Sequence, residues 1–325
     1  MNSRQRLRET FRYGRPDRVP YFEKPIRQEA IRMWRTQGMP RDADLSRMFP
    51  SDRFEEIELN LEPRPGPAAW PSSDAGLDQL RRSLDPETPG RFPKDWSRRV
   101  RHWRMRDHVL LPEVHRGFFL SMGVDGWDRF SEVACLLREE PRVVRECMAI
   151  QGDLAAQMAR KMLEKVEVDA AVFSEPVGGN TGPLISPRMY EEFVLKSYEP
   201  LLEVLSRHNV EIVIFRTYAN ARLLLPSILK WGFNCLWACE VDAAAMDYRD
   251  IRREFGRDLR LIGGIDLDAL RRGREAIRRE IMEKVPPLLE SGGYIPLADG
   301  RVREDVLYEN YLYYRELLAD ATRSR

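Results

Sequence analysis

The fold is decided by residues 141–175, PRVVRECMAIQGDLAAQMARKMLEKVEVDAAVFSE, in which a long amphipathic segment leads directly into a short apolar one. In residues 141–166 the apolar side chains recur close to every 3.6 positions, which predicts a helix with one buried face. Residues 168–174 form a nearly continuous apolar run, the pattern of a strand covered on both faces. The stretch therefore predicts one helix–strand unit of a parallel sheet.

The same alternation of short apolar runs and amphipathic segments continues in both directions along the chain. The apolar runs predict eight strands, at residues 19–23, 54–59, 108–114, 168–174, 210–215, 233–239, 259–265 and 294–297. The amphipathic segments predict further helices, at residues 187–207, 219–231, 246–255, 274–291 and 302–321. Strand–helix alternation repeated up to eight times favours a (β/α)8 TIM barrel, an α/β fold, over an open sheet.

We expect residues 1–325 to form a single domain with extra N-terminal segments. Residues 63–75 are rich in Pro, Gly and Ser and are interpreted as a long surface loop. Ser186 is the predicted N-cap of the helix that begins at the next residue. Gly292 and Gly293 are predicted to end the helix that precedes the last strand.

The composition limits the partners of the protein. Among 325 residues, 53 Lys and Arg balance 52 Asp and Glu, for a net charge of +1. Because the charges balance, the composition gives no electrostatic argument for nucleic acid or an anionic membrane as a partner. No apolar run approaches the roughly 20 residues that a membrane span needs. Residues 1–18 are polar and rich in Arg, unlike a signal peptide, so a cytoplasmic location is expected.

Four segments carry a resemblance to one superfamily. They are GRPDRVPYFE (residues 14–23), TGPLISPRMYEEFV (181–194), RLIGGIDLDAL (260–270) and GGYIPLADGRVREDVLYENYLYYREL (292–317). They resemble the uroporphyrinogen decarboxylase superfamily, and together they extend over nearly the whole chain. The resemblance implies a barrel with its active site at the C-terminal ends of the strands, and a homodimer.

The superfamily contains true decarboxylases, zinc-dependent methyltransferases that serve corrinoid proteins or thiols, corrinoid-linked demethylases, and members of unknown activity. Membership therefore does not decide the reaction. True decarboxylases carry a basic RQAGR-like segment after the first strand, which holds porphyrin carboxylates. Here residues 24–32 read KPIRQEAIR, which keeps three positive charges but not the pattern. The catalytic Asp motif that follows the second strand of the family has no counterpart either.

The zinc methyltransferases carry His-x-Cys-Gly-Asn after the fifth strand and a second Cys near the eighth. The aligned residues 216–220 read RTYAN, so Arg216 replaces the histidine, Tyr218 replaces the cysteine and Asn220 is retained. A guanidinium that is always charged cannot ligate zinc. The four cysteines form no CxxC pair and are expected to be mostly buried, with Cys239 of interest because it precedes Glu240. We therefore assign no metal ligands.

The candidate site residues follow the predicted strands, because the C-terminal ends of parallel strands meet at one mouth of a barrel. The catalytic candidates are Glu175, Tyr218, Glu240 and His115. The substrate-binding candidates are Glu23, Lys24, Arg27, Arg216, Asn220, Asp266 and Asp299.

Several candidates have two interpretations. Glu175 could act as a general acid or base, or as a buried ion-pair partner of Arg216. Arg216 could bind a substrate carboxylate or phosphate through its fork, or only neutralise Glu175 and Glu240. Tyr218 could donate a proton or simply line a pocket. His115 could be catalytic or structural.

Two further candidates have a structural alternative as helix caps. Asn220 and Asp266 each precede a predicted helix, where their side chains would accept from backbone N–H groups. Asp299 belongs to the end of the last strand, where polar groups of a ligand often bind in such barrels.

Three functions are considered. The preferred one is methyl transfer or demethylation on a small polar or aromatic substrate, without bound zinc and with no tightly bound cofactor. Cobalamin (a corrinoid, also on a carrier protein) or a pterin would be the second substrate, and an acid such as Glu175 or Tyr218 would protonate the leaving atom. The alternatives are decarboxylation of a carboxylated substrate, including a tetrapyrrole, and a barrel that binds a ligand without catalysis.

Overall fold

The computed structural model describes residues 1–66, 70–239 and 245–323. Its sheet contains seven strands, and each strand pairs in parallel with the next one along the chain. The strands are β1 (Phe54–Glu58), β2 (Val109–His115), β3 (Ala171–Glu175), β4 (Val213–Tyr218), β5 (Cys235–Cys239), β6 (Arg260–Gly263) and β7 (Tyr294–Ile295). Consecutive parallel neighbours are the topology of a TIM-barrel-like α/β fold.

The first predicted strand is a correction. Residues 19–23 are all described, but they form no strand and join no ladder of the sheet, so the described residues show seven strands rather than the eight predicted. Pro20 lacks the N–H that a ladder needs. Tyr21 instead donates its N–H to the Asp52 carboxylate at 2.9 Å and accepts from the Asp52 N–H at 2.9 Å. The segment still packs on the sheet, since the Phe22 and Phe54 rings lie 5.2 Å apart.

The helices mostly fill the connections between strands. The α-helices are α1 (Ser3–Phe11), α2 (Gln28–Thr36), α3 (Leu45–Met48), α4 (Leu77–Ser83), α5 (Trp96–Arg104), α6 (Phe118–Ser121), α7 (Trp127–Glu139), α8 (Pro141–Leu163), α9 (Pro187–Met189), α10 (Glu199–Arg207), α11 (Leu225–Lys230), α12 (Tyr248–Phe255), α13 (Leu267–Arg271), α14 (Arg274–Ser291) and α15 (Tyr308–Thr322). No helix in the described part of the chain is both long and apolar enough to cross a membrane.

The predicted helix ends hold to different degrees. The helix predicted at 274–291 is confirmed as α14, and Gly292 and Gly293 follow it with φ of 75° and 63°, the left-handed region that favours glycine. The helix predicted at 187–207 begins as expected, because the Ser186 hydroxyl caps the Met189 N–H. It then passes through a π-helical turn at Tyr190–Val194 and a 3-10 turn before α10.

The strands separate two apolar cores because side chains alternate between the two faces of a strand. Ala170 and Val172 contribute to the core inside the curved sheet, whereas Ala171 and Phe173 face the surrounding helices. Leu7 of α1 belongs to the inner core and lies near residues that precede β3 and β4. Helix α1 therefore covers the N-terminal end of the sheet, and the C-terminal end is left for a site.

Candidate active site

A cavity of about 700 Å³ lies at the C-terminal ends of the strands. One part of its wall consists of side chains that lie on the inner face of strands β1 to β5. These are Phe54, Glu56, Glu58, Glu113, Ser174, Arg216, Tyr218, Trp237 and Cys239. The other part comes from Glu23, Lys24, Pro25 and Arg27 and from residues 297–301. This is the end at which barrel enzymes hold their catalytic groups.

Arg216 is the central cation of the cavity, and only 7% of its side chain is exposed. Its Nη1 donates to the Glu56 carboxylate at 2.7 Å, and its Nη2 donates to the Glu113 carboxylate. Lys24 approaches the same Glu56 carboxylate at 3.4 Å. The predicted ion pair of Arg216 with Glu175 is therefore wrong, and the carboxylates that neutralise it come from β1 and β2.

Glu113 is one of two cavity carboxyl groups, with Glu23, whose environment favours a proton. Burial raises the pKa of Glu113 above its usual value, and the nearby Glu58 and Glu56 carboxylates raise it further, while the Arg216 charge opposes them. Glu58 lies directly opposite Glu113 in the β1–β2 ladder. A carboxyl group with a raised pKa that faces a cavity is a candidate proton donor.

Glu175 lies outside this cavity, which corrects its expected position at the mouth. It is fully buried and lies on the helix-facing side of β3, where its carboxylate accepts from the Phe118 N–H at 2.8 Å. The hydroxyls of Tyr190 and Tyr198 also donate to it, at 3.0 and 2.6 Å. Burial raises the pKa of Glu175 to about 7, although the three hydrogen bonds oppose the shift.

His115 is also placed away from the cavity, behind the sheet. Its Nδ1 accepts from the Gly117 N–H at 3.0 Å, and its ring centroid lies 4.4 Å from that of Tyr198. Burial lowers the pKa of His115 to about 3, so the ring is neutral. The ladder changes register between Glu113 and His115, which lets the histidine join the helix-facing layer.

The buried position of Glu175 predicts a pH-dependent stability. A folded-state pKa near 7 lies above the unfolded value, so the stabilisation from protonated Glu175 is complete below about pH 4.5 and is lost as the pH rises through 7. The span corresponds to roughly 3 kcal/mol. We expect the difference in unfolding free energy between Glu175→Gln and the wild type to change by that amount between pH 4.5 and 8, in urea titrations. A difference that stays constant over this range would contradict the assignment.

Asn220 and Asp266 accept from backbone N–H groups at the starts of helical segments and are not among the residues that line the cavity. The Asn220 side chain accepts from the Arg222 N–H at 3.1 Å at the start of a short 3-10 turn. Asp266 is the N-cap of α13, where it accepts from the Asp268 N–H at 2.8 Å. Their predicted roles in substrate binding stay predictions. The predicted cap is confirmed for Asp266, whereas the N-cap position of the 3-10 turn after Asn220 is Ala221.

The remaining candidates divide between the cavity wall and a part of the chain that is not described. Glu23, Lys24, Arg27 and Asp299 all line the cavity, as does Tyr218. Glu23 accepts from the Tyr314 hydroxyl at 2.7 Å, and burial raises its pKa. Asp299 accepts from the Leu267 N–H at 3.2 Å. Glu240 lies outside the described residues.

Sequence reasoning missed Glu56, Glu58, Glu113 and Trp237, all of which line the cavity. The signal that finds them is the alternation within a strand. In FEEIE of β1, Phe54, Glu56 and Glu58 share one face and Ile57 lies on the other. Charged residues on the inner face of a strand that is only partly buried indicate a wall that faces a cavity rather than a core.

The comparisons with known proteins identify the family. The model described as Uroporphyrinogen decarboxylase (URO-D) matches residues 121–296, which is more than half of the chain. The chain belongs to the URO-D family. No curated protein matches it. The matched residues include β3 to β7 and therefore Arg216, Tyr218 and Trp237 of the cavity wall. Glu56 and Glu113 lie on β1 and β2, before the matched residues.

The residues at the position of the family's zinc motif do not suit zinc. The Arg216 guanidinium is paired with two carboxylates, and Tyr218 lines the cavity with a phenol where zinc binding would need a thiol. Among the residues that the structure describes, no three His, Cys, Asp or Glu side chains form a group that could hold a metal ion. We therefore derive no step through a bound zinc ion.

Proposed function

We propose that this URO-D family protein is an enzyme that transfers or removes a methyl group on a small polar or aromatic substrate, with Glu113 as the proton donor. The observation that carries the proposal is the raised pKa of Glu113, because this carboxyl group faces the cavity and lies beside Arg216. A leaving oxygen needs a proton when its methyl group departs, and a carboxyl group with a raised pKa holds a proton at higher pH than an ordinary one and can supply it.

In the proposed reaction, the bond between the methyl carbon and the leaving oxygen breaks, and its electron pair stays on the oxygen. Glu113 gives its proton to that oxygen, so the products are an alcohol or phenol and a Glu113 carboxylate. A reduced corrinoid or a pterin, as second substrate, would supply the nucleophile that accepts the methyl group. Arg216 keeps the Glu113 carboxyl group in position and stabilises the carboxylate once its proton has left.

The partners of the reaction are proposals of the same kind. A carrier protein for the corrinoid is expected to dock at the open mouth of the cavity, because the candidate acid lies there. A homodimer rests on the resemblance to the superfamily alone.

The proposal is tested by the product. We expect the protein to form methylcobalamin when it is incubated with 4-methoxybenzoate and chemically reduced cobalamin, with release of 4-hydroxybenzoate in equal amount. The absorbance of the cobalamin and chromatography of the phenol follow the two products. Reduced cobalamin without protein is the control. If neither product exceeds the control, and a panel of methoxylated aromatics and methylated amines behaves alike, methyl transfer is excluded.

Decarboxylation is the second candidate, because Lys24, Arg27 and Arg301 place three cations on the cavity wall. In this reaction the carbon–carbon bond to a carboxylate breaks, carbon dioxide leaves, and Glu113 protonates the carbon that keeps the electron pair. Uroporphyrinogen and smaller carboxylates, assayed for carbon dioxide, distinguish this reaction from methyl transfer. Binding without turnover of any of these compounds would favour the third function, a ligand-binding barrel.

A further inference from the structure

We propose that the inner wall of the cavity contains a subsite for a carboxylate group of the ligand, formed by Trp237 and Arg216 beneath Lys24. The subsite rests on the proposed function only in that its ligand is taken to be the substrate.

Arg216 and Trp237 are neighbours in the sheet. They lie opposite each other in the ladder of β4 and β5, and both side chains point to the inner face and line the cavity. The Arg216 guanidinium carbon lies 5.7 Å from the centre of the Trp237 ring. The two side chains therefore lie side by side on the inner wall of the cavity.

One donor on each side chain is buried and unused. The Nε of Arg216 and the Nε1 of Trp237 have no hydrogen-bond partner among the described residues. Both atoms can only donate, so a carbonyl or carboxylate oxygen is the partner that is missing. An unpaired buried donor is costly, and these two lie on neighbouring side chains that line the cavity, so we infer that a ligand supplies their acceptor.

Two cations lie against the Trp237 ring. The Lys24 ammonium lies 4.2 Å from the centre of the Trp237 ring and covers it. Lys24 and Arg216 share the Glu56 carboxylate, at 3.4 and 2.7 Å. A carboxylate thus already lies between these two cations, and the side chain that supplies it is one-third exposed. A ligand carboxylate that enters would compete with Glu56 for the same cations and would also satisfy the two unused N–H groups.

A second tryptophan with an unpaired N–H group supplies a control. The Nε1 of Trp231 and the hydroxyl of Thr217 also have no partner within the described ranges, but neither side chain lines this cavity. Trp231→Phe therefore removes the same kind of atom as Trp237→Phe without touching the proposed subsite.

The first test uses benzoate as the probe and benzamide as its neutral counterpart, in calorimetric titrations at constant ionic strength. We expect benzoate to bind at least tenfold more tightly than benzamide, since only the anion pairs with Lys24 and Arg216. Trp237→Phe is expected to weaken benzoate binding about tenfold, the effect of one hydrogen bond to a charged acceptor. Trp231→Phe should leave it unchanged. Equal affinity of Trp237→Phe and the wild type for benzoate would overturn the subsite.

The second test changes affinity in the opposite direction and does not alter the buried tryptophan. Glu56→Gln removes the charge that competes with the ligand, so benzoate should bind about tenfold more tightly than to the wild type. Unchanged or weaker binding would contradict the proposal. The two proposals can fail separately. Benzoate binding in the expected pattern without methylcobalamin formation would refute methyl transfer alone. Methylcobalamin formation at an unchanged rate in Trp237→Phe and Glu56→Gln would refute the subsite alone.

Discussion

Glu113→Gln is expected to lower the rate of methyl transfer by about 10² to 10⁴-fold, the usual contribution of a positioned general acid. Glutamine has nearly the same shape and can still accept from Arg216, but it has no acidic proton to give to the leaving oxygen. The measurement is the initial rate of methylcobalamin formation at saturating substrate. Because the change lies in the proton transfer, we expect the loss in kcat rather than in KM.

The pH profile makes this expectation specific. Glu113 must hold a proton before the bond to the methyl group breaks, so activity should be highest below its raised pKa and fall as the pH rises through it. This decline should be absent from the residual activity of Glu113→Gln. Glu211→Gln is a matched control, since Glu211 pairs with Arg12 at the opposite end of the sheet. Full activity of Glu113→Gln would exclude Glu113 as the acid.

Arg216→Met is expected to lower the free energy of unfolding by about 2–4 kcal/mol at neutral pH. The substitution leaves Glu56 and Glu113 near each other without the cation that neutralises both. Removal of one partner of a buried ion pair costs more than this, but the two carboxylates are 32% and 25% exposed, so solvent screens part of the repulsion. Urea titrations of the variant and the wild type measure the difference.

The deficit of Arg216→Met should depend on pH. Without the guanidinium, the pKa of Glu113 rises further in the folded protein, so the variant gains stability relative to the wild type as the pH falls and this carboxyl group takes up a proton. We expect the deficit to be smaller at pH 5 than at pH 8. The double variant with Glu113→Gln should recover part of the loss at pH 8. An equal deficit at both pH values would indicate lost packing rather than lost charge.

Most of the sheet could be predicted from local pattern, because a strand covered on both faces is itself a nearly continuous run of apolar residues. The apolar run at 168–174 contains most of β3, and the helix at 274–291 has the predicted bounds. The absence of a strand at residues 19–23 could not be predicted in this way. The apolar residues of this segment do pack on the sheet, but the backbone of Tyr21 bonds to Asp52, a partner that lies 31 positions away in the sequence.

The cavity lies at the end of the sheet where the site was predicted, but only some of its lining residues were among the candidates. Strand ends were used as the criterion, and they place Glu175 and Arg216 together. The alternation of side chains separates them, since Ser174 rather than Glu175 shares the inner face with Arg216. The raised pKa of Glu175 could not be read from sequence, because it is caused by burial, and that burial depends on the segments that pack behind β3.

The most direct measurement is a crystal structure of the protein with 4-methoxybenzoate. We expect the ligand in the cavity at the C-terminal ends of the strands, with its carboxylate at Trp237 and Arg216 and its methoxy oxygen within hydrogen-bonding reach of Glu113. A ligand bound behind the sheet at Glu175 and His115, or away from Arg216 altogether, would contradict this assignment of the active site.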